Sequence, residues 1–412
     1  MPRYRGPSLS RVLPAAVARL GIELPAWPPG GGPAGADLTA DGPGLVDGPG
    51  SVGGPDVADG SGGGAGDPWA GWADASSAGD RPRGIVILLV DGLGLANLGA
   101  RRGHAPFLAA QPSETLVSGF PSTTVASLGS LGTGLAPGQT ALAGYSLRDP
   151  ATGRRANLIQ WDTPTPPRAW QPHATVFERL DAAGRPAGFV GEARFADSPM
   201  TQSSLRGARF HPAAKRPAAI VAAALAAARA GDGLLYVYVG ALDKIGHAAG
   251  WRSAAWAEAL EALDAAVRHL VARLGRGWEV WLTADHGQVD VTGAPVWDVA
   301  KDPALAEGVD VVAGEARAVH LYGADPAAVA ARWRRRLGPA AWVLTRREAV
   351  AAGLFGQVDQ RVRPYLGDVV AALAGRGTVL DSRVGGGAAK MVGHHGSLTA
   401  AEMRVPLIRW RR

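Results

Sequence analysis

Three aspartates closely follow apolar, strand-like segments of the chain. They are Asp91, Asp243 and Asp285, after residues 84–90, 233–240 and 277–284 respectively. A single aspartate after a strand most often caps a helix or turns the chain. Three aspartates in equivalent places are hard to explain as separate caps, so the pattern favours one shared acidic site.

Histidines accompany two of these aspartates. His247 comes four residues after Asp243, and one helical turn brings both side chains to one face. His286 directly follows Asp285. Both can reach one ion only where the backbone turns sharply, and Gly287 is expected to permit that turn.

A further histidine motif lies near the C-terminus, where His394 and His395 are flanked by glycines. A lone histidine is more often structural than a ligand. Together with the aspartates, however, these histidines form a set that suits zinc or a similar divalent ion. The sequence therefore predicts a metal site.

Residues 119–145 contain a second group of reactive side chains. Ser122, Thr123 and Thr124 precede a run of small residues that ends at Gly134, which predicts a tightly packed helix with these hydroxyls at its N-terminus. One interpretation is a helix cap, for which serine and threonine are well suited. The other is a nucleophile, because a helix N-terminus favours phosphate and a metal ion lowers the pKa of a hydroxyl.

Alternating strand-like and helix-like segments must position these groups. The three strand-like segments are those that precede the aspartates, and helical spacing is found at 123–134, 174–184, 216–230, 253–275, 326–337 and 363–375. Such alternation predicts an α/β fold with a central, mostly parallel sheet and helices on both faces. Reactive groups gather at the carboxyl ends of the strands in such sheets. We therefore expect the aspartates to meet there.

Composition narrows the possible functions. The chain has 412 residues, a net charge of +6 and no cysteine, which excludes disulfides, thiolate zinc clusters and cysteine nucleophiles. Residues 25–82 hold eight aspartates and no basic residue before Arg81. The rest of the chain is therefore more basic than the net charge indicates, which favours anionic ligands. No nucleic-acid-binding motif accompanies the basic clusters, so we expect no specific nucleic-acid binding.

The composition also divides the chain into an N-terminal helix, a flexible linker rich in Gly, Pro and Asp, and a catalytic domain, at residues 1–24, 25–82 and 83–412. The first helix is expected over residues 8–24 with Ser10 as its N-cap. Trp69 and Trp72 are the candidate anchor points of the linker. A cap or subdomain is expected within residues 297–392.

Apolar segments of the chain are short. The longest aliphatic run, residues 85–90, is far too short to span a bilayer, and no convincing signal peptide is present. We therefore expect a cytoplasmic protein without membrane insertion. The sequence does not indicate an oligomeric state.

The order of the motifs resembles that of the alkaline phosphatase superfamily, and more closely its type I phosphodiesterase/nucleotide pyrophosphatase family. The resemblance covers residues 84–408 and consists of Asp91, the Thr/Ser helix, Asp243-x3-His247, Asp285-His286 and the late His-Gly pair. It implies an alkaline phosphatase-like fold. It also implies a metal-dependent hydrolase of phosphate esters.

The resemblance implies two divalent metal ions, zinc in the first place and manganese as an alternative. One ion would be held by Asp243, His247 and His395. The other would be held by Asp91, Thr124, Asp285 and His286.

A nucleophile is implied as well. Counting back from Thr133-Gly134, the small-residue–Gly pair that follows the nucleophile in the superfamily, gives Thr124, with Thr123 as the second choice. The implied reaction is a double in-line displacement through a covalent threonyl-phosphate-type intermediate.

The expected substrate is a small-molecule phosphate ester or a nucleotide, hydrolysed at a phosphodiester or pyrophosphate bond. Tyr145 stands where the family has an asparagine that contacts a phosphate oxygen, and a phenol can donate a similar hydrogen bond. This departure leaves a phosphomonoesterase or a phosphonate hydrolase as alternatives. A non-catalytic pseudoenzyme or basic binding protein is the alternative from another class.

Overall fold

The computed structural model describes residues 2, 4, 6–24, 81–384 and 387–412. The predicted linker, with Trp69 and Trp72, lies outside these residues except for Arg81 and Pro82. Within the described part, none of the helices has both the length and the apolar character needed to cross a bilayer.

Apolar, β-branched segments form the strands of the structure. In chain order the strands are β1 Gly84–Val90, β2 Ser113–Val117, β3 Ser146–Arg148, β4 Arg155–Asn157, β5 Gly188–Glu192, β6 Arg209–Ala213, β7 Leu234–Val239, β8 Trp278–Thr283, β9 Val289–Asp290, β10 Val296–Asp298, β11 Val311–Glu315, β12 Ala318–Tyr322, β13 Ala341–Thr345, β14 Val369–Leu373, β15 Thr378–Leu380, β16 Gly393–His394 and β17 Arg404–Arg411.

A seven-stranded main sheet dominates the fold, with the strand order β2-β17-β8-β1-β7-β5-β6. Strands β8, β1, β7, β5 and β6 are parallel, and β17 runs antiparallel between β8 and β2. Every residue of the central strand β1 is buried, as expected for a strand covered on both faces. The predicted α/β class is therefore confirmed.

Helices pack around this sheet. They are α1 Val12–Arg19, α2 Leu95–Ala100, α3 Pro106–Ala109, α4 Thr124–Thr133, α5 Pro137–Thr140, α6 Pro167–Trp170, α7 Val176–Ala182, α8 Pro199–Ser204, α9 Pro217–Ala230, α10 Ala241–Ala249, α11 Ala254–Arg273, α12 Pro303–Ala306, α13 Pro326–Leu337, α14 Arg346–Ala351 and α15 Ala400–Met403. The long helix α11 is a crossover helix between the parallel strands β7 and β8, as its apolar spacing predicts. Five of the six predicted helices are thus present.

The sixth predicted helix, residues 363–375, is wrong. This segment forms a short 3-10 turn at Arg363–Tyr365 and then strand β14. A short apolar run has no periodicity that separates a buried strand from a helix. Here the run is buried on both faces because alternate residues of β14 pack into two apolar cores, Val369 and Ala371 into the core beside α13 and Val370 into the main core.

This second sheet, the small sheet, has four antiparallel strands in the order β11-β12-β14-β13. One of its faces packs with α13 into a separate apolar core that includes Val319, Leu321 and Trp333. The opposite face contributes Ala318 and Val370 to the main core. The small sheet is therefore held against the main body on one side.

A buried ion pair joins the small sheet to the main body. The Arg317 guanidinium donates to both carboxylate oxygens of Glu402 at 2.7 Å, and both side chains are fully buried. Glu402 also accepts the N–H of Ser397 at 3.0 Å. Because Ser397 closely follows His395, this ion pair fixes the path of the late histidine motif.

The N-terminal helix is shorter than predicted. It covers Val12–Arg19 after a 3-10 turn at Leu9–Arg11, so Ser10 is not its N-cap. It ends early because Gly21 adopts the left-handed conformation, with φ = 67°. The apolar residues of α1 are buried in the main core, and Arg19 pairs with the buried Glu279 of β8 at 2.8 Å.

Candidate active site

The turn after β1 brings three carboxylates together. Gly92 has φ = 76°, and a Cβ at this position would lie 3.0 Å from the Cα of Asp243. Its N–H donates to Oδ1 of Asp285 at 3.1 Å. Glycine is thus needed for both the turn and the close approach, and Asp91 lies next to it. The carboxyl ends of β1, β7 and β8 meet as the sequence predicts.

Asp285 and His286 are both fully buried at the end of β8. The Nε2 atom of His286 lies 3.4 Å from Oδ2 of Asp285 and 3.4 Å from Oδ1 of Asp91. Gly287 is needed here for a reason other than the predicted sharp turn. A Cβ at Gly287 would lie 2.0 Å from the carbonyl oxygen of Ala401, so the requirement is for space.

Asp243, His247 and His395 form the second part of the cluster. Asp243 and His247 lie one turn apart on α10, with 3.3 Å between Oδ1 and Nε2. The Nε2 atom of His395 lies 3.8 Å from the same oxygen. The His395 ring stacks on that of His286 at a centroid distance of 3.6 Å, which joins the two parts into one cluster.

Backbone carbonyls hold the outer nitrogen of each candidate histidine ligand. Nδ1 of His247 lies 2.7 Å from the Gly393 oxygen, and Nδ1 of His395 lies 3.0 Å from the Ser122 oxygen. Nδ1 of His286 lies 3.1 Å from the carbonyl oxygen of the next residue. An N–H at Nδ1 donates to each carbonyl, which leaves Nε2 free to accept. This is the usual arrangement of metal-binding histidines.

The cluster fits divalent cations. Oδ1 of Asp91 and Oδ2 of Asp285 are buried and have no hydrogen-bond partner. Donor atoms within 4.8 Å of one another form two groups, one of Asp243, His247 and His395 and one of Asp91, Asp243 and His286. Asp285 belongs with the second group because its Oδ2 reaches His286 as closely as Asp91 does. Unpaired buried carboxylate oxygens beside neutral imidazoles are what a cation site requires.

Burial and repulsion between neighbouring groups of like charge shift the pKa values in the cluster. Burial, together with Asp285 and Asp243, raises the pKa of Asp91 well above its usual range. Burial and the Asp243 carboxylate raise the pKa of Asp285 to about 7. Burial and His286 hold the pKa of His395 well below its usual range, so this imidazole is neutral. A cation would relieve the repulsion among the carboxylates.

The two candidate threonines differ in their surroundings. Thr124 is the first residue of α4, is half-buried, and places its Oγ1 at 3.2 Å from Nε2 of His286. Thr123 occupies the N-cap position, but its side chain makes no capping hydrogen bond and is only 2% exposed. It lies beside the Glu315 carboxyl instead. The geometry therefore favours Thr124 over Thr123 as the nucleophile.

Two contacts hold the N-terminus of α4 against the cluster. The Ser127 hydroxyl donates to the carbonyl oxygen of Asp285 at 2.8 Å. The Ser122 N–H donates to the Gly396 oxygen at 3.0 Å, which connects the start of α4 to the residue after His395. The N-terminus of α4 is thus fixed to both halves of the cluster.

Two side chains that the sequence did not single out support the aspartates. The Tyr238 hydroxyl donates to Oδ2 of Asp91, and burial raises the pKa of this phenol well above its usual range. The Gln288 amide donates to Oδ1 of Asp243. The sequence feature that could have indicated Tyr238 is its position near the end of β7, the strand that leads to Asp243.

Glu315 is a third unexpected residue, and it comes from the small sheet. Its Oε2 accepts the N–H of Tyr145 at 2.8 Å, while its Oε1 is buried without a hydrogen-bond partner. Burial raises its pKa to about 8. Tyr145 is half-buried and, like Thr123, lines both cavities described below. Glu315 thus links the small sheet to the start of α4.

A neutral Glu315 predicts a pH effect on stability. From its ordinary pKa of 4.5 up to about 8, the unfolded state loses this proton while the folded state keeps it. Unfolding is therefore favoured as pH rises, by about 1.4 kcal/mol per pH unit for a single group. Glu315→Gln should remove this slope, so the variant gains roughly 2 kcal/mol over wild type between pH 6 and pH 8 in urea unfolding of metal-free protein. If the free energies of unfolding of the two proteins changed with pH in parallel, Glu315 would be ionised in the folded state.

Two cavities border the cluster. The small-sheet cavity, of about 1220 Å³, is bounded by β11, β10 and the segment before His394. The main-sheet cavity, of about 910 Å³, is bounded by the ends of β5 and β7, by α8 and by α10. Both are lined by Thr123, Tyr145, His247 and His395, whereas Asp91 and Thr124 line only the main-sheet cavity. Ser198 and Thr201 also line the main-sheet cavity.

Residues 85–398 match the model of the type I phosphodiesterase/nucleotide pyrophosphatase family. Because the match covers most of the sequence, the chain belongs to this family. The protein is thus a hydrolase of the type I phosphodiesterase/nucleotide pyrophosphatase family. Membership in the family also implies divalent metal ions. No curated protein sequence matches the chain.

Solved structures share the fold. Murine ectonucleotide pyrophosphatase/phosphodiesterase 5 is 16% identical with a TM-score of 0.62, over 79% of this chain and 87% of that chain. An inactive variant of the murine protein, in complex with AMP, is 15% identical with a TM-score of 0.62, over 79% of this chain and 87% of that chain. Phosphonoacetate hydrolase from Sinorhizobium meliloti, in complex with phosphonoacetate, is 19% identical with a TM-score of 0.63, over 80% of this chain and 90% of that chain. At these identities the likeness establishes the architecture alone.

Proposed function

We propose that this protein hydrolyses phosphodiesters of small molecules, nucleotides among them, with Thr124 as the nucleophile and two divalent ions as cofactors. The observation that carries the proposal is the position of the Thr124 hydroxyl. It lies at the N-terminus of α4, is accessible from a cavity, and is 3.2 Å from Nε2 of His286 in a buried cluster of unpaired carboxylate oxygens.

One ion is assigned to Asp243, His247 and His395, and the other to Asp91, Asp285, His286 and Thr124. When bound, such ions lower the pKa of a hydroxyl and neutralise charge on the attacking and leaving oxygens. Zinc is the first choice because three imidazoles and three carboxylates form the donor set, and manganese is the alternative.

The residues of the chain then perform a double in-line displacement. The Thr124 hydroxyl gives its proton to solvent, and its oxygen forms a bond to phosphorus while the bond to the leaving oxygen breaks. The leaving oxygen takes a proton from solvent and departs as an alcohol. Water next forms a bond to phosphorus, the bond to the Thr124 oxygen breaks, and the threonine hydroxyl is restored. Free N–H groups at the start of α4 and the Tyr145 phenol are proposed to donate to the nonbridging phosphate oxygens.

The small sheet is proposed to act as the cap expected within residues 297–392. Its strand β11 brings Glu315 against Thr123 and Tyr145, and β11 forms one wall of the small-sheet cavity. It therefore covers one side of the site. A cap in this place would contribute to the choice of substrate.

The test compares initial rates on bis(4-nitrophenyl) phosphate and on the monoester 4-nitrophenyl phosphate, using protein of defined metal content. We expect faster diester hydrolysis that is lost with a chelator and restored by zinc or manganese. A preference for the monoester with the same metal dependence would indicate a phosphomonoesterase. Absence of turnover with both ions bound would favour the non-catalytic alternative.

A further inference from the structure

The N-terminal arm, defined as Tyr4 and residues 6–19, lies outside the region that matches the family, which begins at residue 85. The arm is nevertheless part of the main core, where its apolar side chains are fully buried, among them Leu9, Val12, Leu13 and Ala16. Both its 3-10 turn and α1 contact α4, the helix that begins with Thr124. The arm therefore packs against the element that carries the candidate nucleophile.

The arm contacts the chain first at the end of β2, an edge strand of the main sheet. The Val117 N–H donates to the Pro7 oxygen at 2.9 Å, and Ser8 forms a parallel bridge with Val117. Backbone groups of an edge strand that face outward need partners, and the arm supplies one here. The arm thus holds the chain just before it continues toward Thr124.

The Tyr4 hydroxyl makes the second contact. It accepts the N–H of Phe120 at 2.9 Å and donates to the carbonyl oxygen of Leu354 at 2.8 Å. Burial raises the pKa of this phenol well above its usual range, so the hydroxyl keeps the proton that it donates. A Cβ at Gly356 would lie 3.0 Å from Cδ2 of Tyr4, so the ring has little room to move on that side. The hydroxyl thus ties the Phe120 backbone to the segment that follows α14.

The third contact lies at the opposite end of α4. Gly134, the C-cap of this helix, adopts the left-handed conformation with φ = 75°. A Cβ at this position would lie 3.1 Å from Cγ of Pro14 and 3.7 Å from the carbonyl oxygen of Ser10. The arm therefore holds both ends of the segment 117–134, and Thr124 lies between them.

The backbone between Phe120 and Thr124 also contacts the candidate metal ligands. The Ser122 carbonyl lies 3.0 Å from Nδ1 of His395, and the Ser122 N–H donates to the Gly396 oxygen at 3.0 Å. Three residues separate Phe120 from Thr124, so a shift of the Phe120 backbone changes the approach of this segment to the cluster. A displacement of about 1 Å in a reacting group can cost about 10²-fold in rate.

We propose that Tyr4 is a positioning residue of the active site. Its hydroxyl fixes the backbone at Phe120 and so aligns the Thr124 hydroxyl for attack on phosphorus. Tyr4 acts through this backbone and does not touch the substrate. The role of Tyr4 rests on the proposed function, in which Thr124 is the nucleophile.

Tyr4→Phe tests this role, because it removes the hydroxyl and keeps the ring. With metal-loaded, full-length protein and bis(4-nitrophenyl) phosphate, kcat should fall about tenfold while KM stays within about twofold of the wild-type value. Hydrogen exchange of the Phe120 amide should become about tenfold faster, since this N–H loses its acceptor. Exchange in β1 should not change.

Tyr322→Phe is the matched control. The Tyr322 hydroxyl also accepts a backbone N–H, that of Arg148 at 3.1 Å, and donates to a carbonyl oxygen, that of Tyr365 at 2.6 Å. Neither partner belongs to the segment 117–134. Both variants lose one hydroxyl with two backbone hydrogen bonds, so their midpoints of urea unfolding should fall to a similar extent. We expect kcat of Tyr322→Phe to stay within about twofold of the wild-type value.

Three results would overturn the role of Tyr4. An equal fall of kcat in both variants would show that lost stability alone lowers the rate. Unchanged kcat in Tyr4→Phe, with faster exchange at Phe120, would show that the Phe120 backbone does not align Thr124. A higher KM with unchanged kcat would indicate an effect on substrate binding instead. No turnover of the diester by the wild type would refute the proposed function, whereas wild-type turnover with unchanged kcat in Tyr4→Phe refutes the role of Tyr4 alone.

Discussion

Replacing Thr124 by alanine is expected to lower kcat for phosphodiester hydrolysis by about 10⁴-fold or more, the scale seen when a nucleophile is removed. The reason is that the Oγ1 atom beside His286 is the oxygen proposed to attack phosphorus. Initial rates with metal-loaded protein measure the effect. The metal content of the variant is determined in parallel, so that loss of an ion is separated from loss of the nucleophile.

Thr123→Ala is the matched control, because it removes the same group one residue earlier. Thr123 is buried beside Glu315 and makes no capping hydrogen bond, so we expect a loss of about tenfold or less. Thr124→Ser should retain measurable activity, since it keeps the hydroxyl. A large loss in Thr123→Ala with activity kept in Thr124→Ala would reverse the choice of nucleophile.

Replacing Asp285 by asparagine is expected to have opposite effects on activity and on stability. In the wild type, the N–H groups of Gly92 and His286 donate to Oδ1 of Asp285. The amide oxygen of the asparagine can still accept both hydrogen bonds. The other carboxylate oxygen of Asp285 is buried near Asp91 without a hydrogen-bond partner. In the variant an amide nitrogen that can donate takes its place. A candidate metal ligand is lost while the local hydrogen bonds remain. We expect kcat/KM to fall about 10³-fold, because an ion contributes several kcal/mol to the transition state.

Metal-free Asp285→Asn protein should in contrast be more stable than metal-free wild type. The raised pKa of Asp285, about 7, means that the folded protein holds an unfavourable carboxylate above this pH. The advantage of the variant should grow from about pH 4 to pH 7 and then level off at about 4 kcal/mol, as measured by urea unfolding with a chelator present. Lower stability of the variant at pH 8 would show that Asp285 is not destabilising in the metal-free state.

The sequence allowed prediction of those parts of the site that follow long parallel strands. Segments such as 84–90 are short, rich in β-branched residues and bounded by turn residues, which favours a buried strand, and their ends meet at one edge of the sheet. The residues after them, Asp91, Asp243 and Asp285, are indeed brought together. The position of His395 was harder to predict, because it depends on contacts between residues that are far apart in the sequence, such as the Ser122–Gly396 bridge.

Contacts between distant parts of the chain determine the features that the sequence did not predict. Glu315 reaches the start of α4 only because the small sheet packs there, and no local pattern marks it. Within the segment 363–375, residues 369–373 form a strand because β12 and β13 pair with its edges, while α13 and the main core bury its two faces. Gly287 was expected for its conformational freedom, yet the backbone of Ala401 excludes a side chain there. In each case the deciding neighbour lies far away along the chain.

The stereochemical course at phosphorus tests the central proposal most directly. A phosphorothioate diester that is chiral at phosphorus is hydrolysed in isotopically labelled water, and the configuration of the product is determined. Two successive in-line displacements, first by Thr124 and then by water, invert the configuration twice, so the account predicts net retention. Net inversion would show that water attacks the substrate directly, and would contradict a covalent intermediate on Thr124.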